Sequence, residues 1–302
     1  LGRIAVHEYL MRNLSDTSAC RLPRVRRGVF GAQALFPPSS QVRSRELIKG
    51  TIIGRWRDGY GEIVVAEDGG IRSLYFGDGV LQSAILPDRP EALIMDYGQA
   101  MMCALLFRNA PESALLIGLG GCSLVNFLLK AAPTCILDVI ELRGKVIEIA
   151  YEFFLPPGGN ERLRIVQGAG EDFVRQRDCP RYDLILVDAF DDGGPAAPLL
   201  DREFLGACRG RLNRRGVFAI NVWNRPRDDF PALFAKIGDV FGSNTSKLLL
   251  SEAYRNAIVF GFEDFTMPGD LHAYREAAKA LGKKHLVNFP LYLRRLYWQN
   301  FI

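Results

Sequence analysis

Between Ser113 and Asn221 the chain alternates apolar runs with helical stretches, and glycines or carboxylates stand where the runs end. Ala114-Leu115-Leu116-Ile117 is a continuous apolar strand, as expected where both faces of a sheet are covered. It turns through Gly118-Leu119-Gly120-Gly121 into a helix starting at Ser123. A second strand, Cys135 to Ile140, ends in Glu141, and a third, Leu163 to Val166, ends at Gly168-Ala169-Gly170. A fourth, Tyr182 to Val187, ends at Asp188-Ala189-Phe190-Asp191-Asp192, and a fifth runs from Gly216 to Val222. Helices are expected over Lys145–Phe154, stopped by Pro156-Pro157, and over Asp201–Arg211. This order predicts an α/β fold: a mostly parallel, doubly wound sheet with helices on both faces. Ligands of such sheets bind outside the carboxyl ends of the strands, where the glycines and carboxylates fall.

Each feature has a chemistry and a plainer alternative. The glycine turn lets a ligand approach the backbone without a Cβ, though glycines also make ordinary turns. A dinucleotide fingerprint needs a third glycine where this chain has Ser123, which lowers the case for NAD. Glu141, 23 residues after Gly118, suits the two hydroxyls of a ribose. An exposed strand-end Glu is the plainer alternative. Asp188, Asp191 and Asp192 suit a cationic substrate or a proton to be removed, although strand-end acids also cap helices. Together these features suggest a nucleoside-binding transferase.

Outside this core the signals are coarser. Residues 49–95 show hairpin signals at Asp68-Gly69-Gly70 and Gly77-Asp78-Gly79 and are expected to form a small antiparallel β-domain. Residues 96–302 make the nucleoside-binding domain. It has a helix over Tyr97–Phe107, an antiparallel pair at Leu248–Ala253 and Ala257–Phe262, and helices from Leu271 onward. Residues 1–48 are a basic segment of unclear role: up to residue 45 it carries eight Arg against Glu8 and Asp16. It is expected to be a solvated tail or strand-edge decoration; Glu8 and Asp16 weaken a transit-peptide reading, and Leu1 is an uncertain true start.

The net charge is +4, but residues 1–45 alone carry +6 and the rest −2, so no nucleic-acid partner is expected. No apolar run reaches the length of a membrane span. The six cysteines form no CxxC pair, and Cys103, Cys122 and Cys135 lie in apolar stretches, which suits reduced core residues and a cytoplasmic location. None of the three histidines is near the central carboxylates, so no metal site or His-based triad is expected.

Over about residues 50–265 the chain resembles the spermidine synthase (polyamine aminopropyltransferase) family. Leu74 to Ser83 is similar to its LDGxxQ hairpin, Tyr97 to the Tyr of its YHE segment, and Val139-Ile140-Glu141-Leu142 to its VEID. Tyr182 to Asp191, with Gly194-Pro195-Ala196 behind, is similar to its YDVIxxDSSDPxGPA, the most specific of these matches. The resemblance implies a methyltransferase-like Rossmann domain behind an N-terminal β-domain, in a homodimer. It implies aminopropyl transfer from decarboxylated S-adenosylmethionine, a co-substrate rather than a tightly bound cofactor, to a di- or polyamine such as putrescine. Asp188 would be the base, with Asp191 and Tyr97 lining the amine pocket. Gln82 and Glu141 would hold the ribose, with Gly118, Gly120, Gly121, Ala169 and Gly170 around the donor.

The chain also departs from the pattern. Gly121 stands where GGGDGG has the Asp that holds the donor's ammonium, and Ala169 where an Asp meets adenine. Phe190 replaces a Ser, Gly98 the residue after Tyr97, and Arg143 the Asp of VEID. Losing the Asp at 121 favours the alternative of an S-adenosylmethionine-dependent methyltransferase. A non-catalytic binding protein of the same fold is the third possibility, and retention of Asp188, Asp191, Tyr97 and Gln82 argues against it.

Overall fold

The computed structural model describes residues 48–77, 79–191, 194–224, 229–250, 256–264 and 272–301. Residues 1–47 of the basic segment, Asp78 and Asp192 lie outside the described residues.

Four antiparallel strands come first: β1 (Thr51–Asp58), β2 (Gly61–Asp68), β3 (Ile71–Phe76) and β4 (Val80–Ile85), in that order across the sheet. The β2–β3 turn holds Gly69 and Gly70, both at positive φ, in a two-residue loop between paired Asp68 and Ile71, as the sequence predicts. Then come α1 (Asp96–Met101), α2 (Ala104–Phe107), β5 (Ser113–Ile117), α3 (Ser123–Ala131), β6 (Ile136–Glu141) and α4 (Gly144–Ile149). They are followed by β7 (Leu163–Gln167), α5 (Gly170–Arg175), β8 (Tyr182–Val187), the two-residue strands β9 (Phe190–Asp191) and β10 (Gly194–Pro195), α6 (Arg202–Gly210) and β11 (Leu212–Trp223). The chain continues through α7 (Phe230–Phe241), β12 (Thr245–Leu249), β13 (Asn256–Phe262), α8 (His272–His285) and α9 (Phe289–Phe301).

Seven strands form the large sheet in the order β12-β13-β11-β8-β5-β6-β7. β7, β6, β5, β8 and β11 are parallel, and β13 runs antiparallel to both its neighbours. This is the mostly parallel methyltransferase-like sheet, with the order reversing at β5 next to β8. Successive side chains of a strand face opposite sides, and the core obeys that period. Ala114, Leu116, Leu184 and Leu186 join one buried cluster with α1 to α4, α8 and α9. Leu115, Ile117, Ile185 and Val187 join the other with α5, α6 and α7. Ile63, Val65, Leu74 and Ile85 of the small sheet extend the first cluster.

Arg143 clamps the small sheet to the large one. Its guanidinium donates to both carboxylate oxygens of Asp58, at 3.0 and 2.8 Å, and to the Gly61 carbonyl at 3.2 Å. It also lies 4.4 Å over the Phe76 ring. Trp56 meets Phe153 edge-on at 5.5 Å beside this clamp.

Strand β12 is an edge of the large sheet, and side chains of α9 close it. Leu249 donates its N–H to Gln299 Oε1 (2.6 Å), and Gln299 Nε2 donates back to the Leu249 carbonyl (3.1 Å). Asn300 makes the same reciprocal pair with Lys247, at 2.9 and 2.8 Å. Two side-chain amides thus stand in for a neighbouring strand.

Several boundaries differ from the sequence expectations. The helix expected over Tyr97–Phe107 is two short helices, because the bonding tightens to i→i−3 at Cys103, Leu105 and Leu106. The helix expected over Lys145–Phe154 widens into a π turn from Ala150 to Phe154. This frees the Phe153 and Phe154 carbonyls to accept from Arg72 and Asn126. The helices expected toward the C-terminus are α8 and α9, divided at Leu286, which is left-handed at φ 56°. β12 starts earlier than expected, at Thr245, and residues 251–255 of the expected hairpin lie outside the described residues. Cys103, Cys122, Cys135, Cys179 and Cys208 are free and buried. Among the described residues no helix is long and apolar enough to cross a membrane.

Candidate active site

The carboxyl ends of β5, β6, β8 and β11 converge on one site. At the end of β5 the chain turns at Gly118, whose N–H donates to the Ile140 carbonyl at 2.8 Å. Gly118 has φ +97°, and a Cβ there would lie 2.2 Å from the Asp188 carbonyl oxygen. Glycine is therefore required on two counts, backbone conformation and close approach. Gly120 is also left-handed, and Cys122 at φ 59° closes the turn before α3.

Glu141 folds over this turn. Its Oε2 accepts the Leu119 N–H at 2.9 Å and its Oε1 accepts the Arg143 N–H at 2.8 Å. Burial pushes its carboxyl above the usual range, and the backbone donors and the Arg143 charge oppose that shift. The Gly120 N–H is a third backbone donor to this carboxylate, which leaves about one of its roughly four lone-pair sites for a ligand hydroxyl.

Asp188 sits just past β8, tied to β5 by its N–H to the Ile117 carbonyl at 2.9 Å. Asn221 Nδ2 donates to Asp188 Oδ1 at 2.9 Å, and Asn256 Nδ2 donates to Asn221 Oδ1 at 2.9 Å. Burial pushes the Asp188 carboxyl up to about 6, against hydrogen bonds from Asn221 and Tyr97 that favour its charge. The Tyr97 hydroxyl lies between that carboxylate, Ser123 and the Gln82 carbonyl, 3.1 Å away. Burial, and then the Asp188 charge, push the Tyr97 phenol well above its ordinary value, so it stays a neutral donor.

The other candidates are placed as follows. Gln82 Nε2 lies 3.4 Å from the carbonyl of Val80 on its own strand. A Cβ on Gly121 would meet Ser83 Oγ at 2.9 Å and the Phe154 ring at 3.0 Å, and that Ser83 hydroxyl is buried without a hydrogen-bond partner. Ala169 precedes α5, while Gly170 packs so tightly on β5 that a Cβ would lie 2.4 Å from Ile117 Cγ2. Asp191 pairs with Gly194 across the short β9–β10 ladder.

Asn221, Asn256 and Ser83 are site residues the sequence reasoning did not single out. Asn221 carried a signal, a lone amide inside the apolar run Val217 to Val222. Two other buried carboxylates are structural. Asp138 binds Arg164 and Tyr182, and Asp183 accepts from Arg108, Asn213 and the Glu112 N–H. Chemically, the site offers a raised carboxylate between a neutral phenol and an amide, beside a glycine turn stiffened by a second carboxylate. That combination can hold a nucleoside and take a proton from a group beside it.

Residues 97–226 match the spermine/spermidine synthase domain. The chain is 29% identical over 239 residues to the polyamine aminopropyltransferase of Chromobacterium violaceum, covering 79% of this chain and 90% of that protein. A shorter stretch of 120 residues is 33% identical to putrescine N-methyltransferase 2 of Nicotiana tabacum, covering 37% of this chain and 34% of that one. The spermidine synthase of Thermotoga maritima superimposes with a TM-score of 0.63 at 20% identity, over 82% of this chain and 84% of that one. Residues 97–226 thus match a spermine/spermidine synthase domain, and over 79% of its length the chain is similar to a polyamine aminopropyltransferase, a transferase.

Proposed function

We propose that the protein moves an aminopropyl group from decarboxylated S-adenosylmethionine to a di- or polyamine such as putrescine, working as a cytoplasmic homodimer. The observation that carries this reading is the raised carboxyl of Asp188, held between Tyr97 and Asn221 beside the glycine turn. The donor's sulfonium is a good leaving group, so the protein has mainly to align the amine and remove its proton. The amine lone pair attacks the aminopropyl carbon bonded to sulfur. The C–S bond breaks, its electron pair stays on sulfur, and methylthioadenosine leaves. The proton lost by the amine goes to Asp188. A carboxyl at about 6 instead of its ordinary 3.8 is a better acceptor by about 3 kcal/mol. Glu141 and Gln82 take the ribose hydroxyls, and the backbone at Gly118, Gly120 and Gly121 lies along the donor. Ala169 and Gly170 lie toward the adenine, and Tyr97 lines the amine pocket, to which the family resemblance also assigns Asp191.

Methyl transfer from S-adenosylmethionine is the second reading. It is favoured by one observation: no carboxylate stands at Gly121, and the space a side chain would need there is filled by Ser83 and Phe154. Calorimetry with methylthioadenosine, S-adenosylmethionine and the decarboxylated donor, with and without putrescine, followed by product analysis, decides between them. Tighter binding of the decarboxylated donor and formation of spermidine support aminopropyl transfer. Preference for S-adenosylmethionine with a methylated product moves the assignment to methyl transfer. Binding of none of the three points to a non-catalytic member.

A further inference from the structure

We infer that Phe190 and Trp223 form the wall that selects the acceptor amine, gripping its carbon chain and far ammonium with their ring faces. The inference rests on the alkyl-transfer reading above and specifies its acceptor.

Strands β8 and β11 are parallel neighbours, with Val187 paired to Ile220. Just beyond that pair, Asp188 and Asn221 are joined at 2.9 Å. Two residues further along each chain, Phe190 and Trp223 meet with ring centroids 5.5 Å apart and planes inclined at 39°. Both rings are part-exposed, whereas Asn221 is buried. The mouth of the site is therefore layered: an acid and an amide within, two aromatic rings outside. Along β11 the layers are two strand residues apart, roughly 7 Å.

That separation is close to the span of a four- or five-carbon chain. An α,ω-diamine with one nitrogen at Asp188 brings its far nitrogen to the ring layer. Ring faces attract an ammonium through their quadrupole and also bury methylenes. A Ser in place of Phe190, as in the family motif, would offer neither. Diamines shorter than this leave the far charge between the layers, so 1,4-diaminobutane and 1,5-diaminopentane should bind better than 1,2-diaminoethane.

The test is calorimetric titration of these three diamines in the presence of methylthioadenosine, together with transfer kinetics. Phe190→Ser and Trp223→Leu should each raise the Kd and KM for 1,4-diaminobutane about 10-fold. Methylthioadenosine affinity, and turnover at saturating amine, should stay within about 2-fold. Trp223→Phe keeps a ring and should retain most of the affinity. Unchanged amine affinity in Phe190→Ser would overturn the wall, as would equal losses in Trp223→Phe and Trp223→Leu, or failure of the wild-type protein to bind any of the diamines. Amine binding that Phe190→Ser weakens, with no group transferred by the wild type, would instead support the wall and sink the transferase reading.

Discussion

A β-carbon on Gly118 would sit 2.2 Å from the carbonyl oxygen of Asp188, so the glycine turn and the raised acid are held as one unit. Gly118→Ala has to move a backbone carbonyl and adopt a strained φ of +97°. Stability should fall by about 3 kcal/mol or more, read by urea denaturation. Methylthioadenosine affinity and turnover should fall together, because one displacement disturbs both. Loss of turnover alone, with nucleoside affinity intact, would show that the two features are separable.

Asp188→Asn should abolish transfer while leaving methylthioadenosine affinity within a few fold. In the wild type, activity should rise with pH through about 6 as the carboxyl ionises, then level off. Turnover by the Asn variant at the wild-type rate would remove Asp188 as the base.

The same substitution should stabilise the fold at neutral pH. The folded carboxyl titrates at about 6, above its ordinary 3.8, so the folded protein binds the proton more tightly than the unfolded chain. Its contribution is full below 3.8 and is lost as pH rises through about 6. Asp188→Asn should therefore exceed the wild type by about 1–3 kcal/mol at pH 8, with the gap closing near pH 4. Equal denaturation midpoints at pH 8 would contradict the raised carboxyl.

Arg143→Leu should loosen the small sheet from the large one. Burial pushes the Asp58 carboxyl upward, but hydrogen bonds from Arg143 and the Tyr60 N–H win, so it titrates below 3.8. The pair's contribution is therefore present above that value and lost as pH falls below it. We expect a loss of about 2–4 kcal/mol at pH 7 that shrinks toward pH 3, followed by denaturant titration at both values. Lysine should not rescue it, since it cannot make the two-pronged contact with Asp58.

Glu141→Gln replaces one acceptor oxygen with an amide that faces a backbone donor at Leu119 or Arg143. It should cost about 1–2 kcal/mol of stability. Methylthioadenosine should bind at least about 10-fold more weakly if the carboxylate also holds the ribose. Unchanged affinity by calorimetry would confine Glu141 to stiffening the turn.

The parallel sheet was legible because each strand carries its own signal, an apolar run closed by Gly118, Glu141, Gly168 or Asp188. Those signals are local in sequence. What remained hidden depends on partners far apart. Arg143 reads as an odd basic residue at the end of VIEL until Asp58, 85 positions away, is brought beside it. Asn221 and Asn256 reach Asp188 only through the β8–β11–β13 neighbourhood. Gly170 illustrates the converse: a residue legible as part of a ligand loop has packing against Ile117 as an independent reason to be glycine. The break near Met102 escaped because apolar periodicity continues through it while the backbone bonding changes.

The large sheet ends in two side chains rather than a strand, and this sets an order of events for a newly made chain. Gln299 and Asn300 come after every strand in sequence, so β12 can pair with β13 while its outer row of amides and carbonyls is still bare. Until α9 docks, that row can recruit the same strand from another ribosome's product. Helix α9 therefore acts as a stopper on that edge, and its four side-chain hydrogen bonds occupy the amides and carbonyls through which a second strand would add.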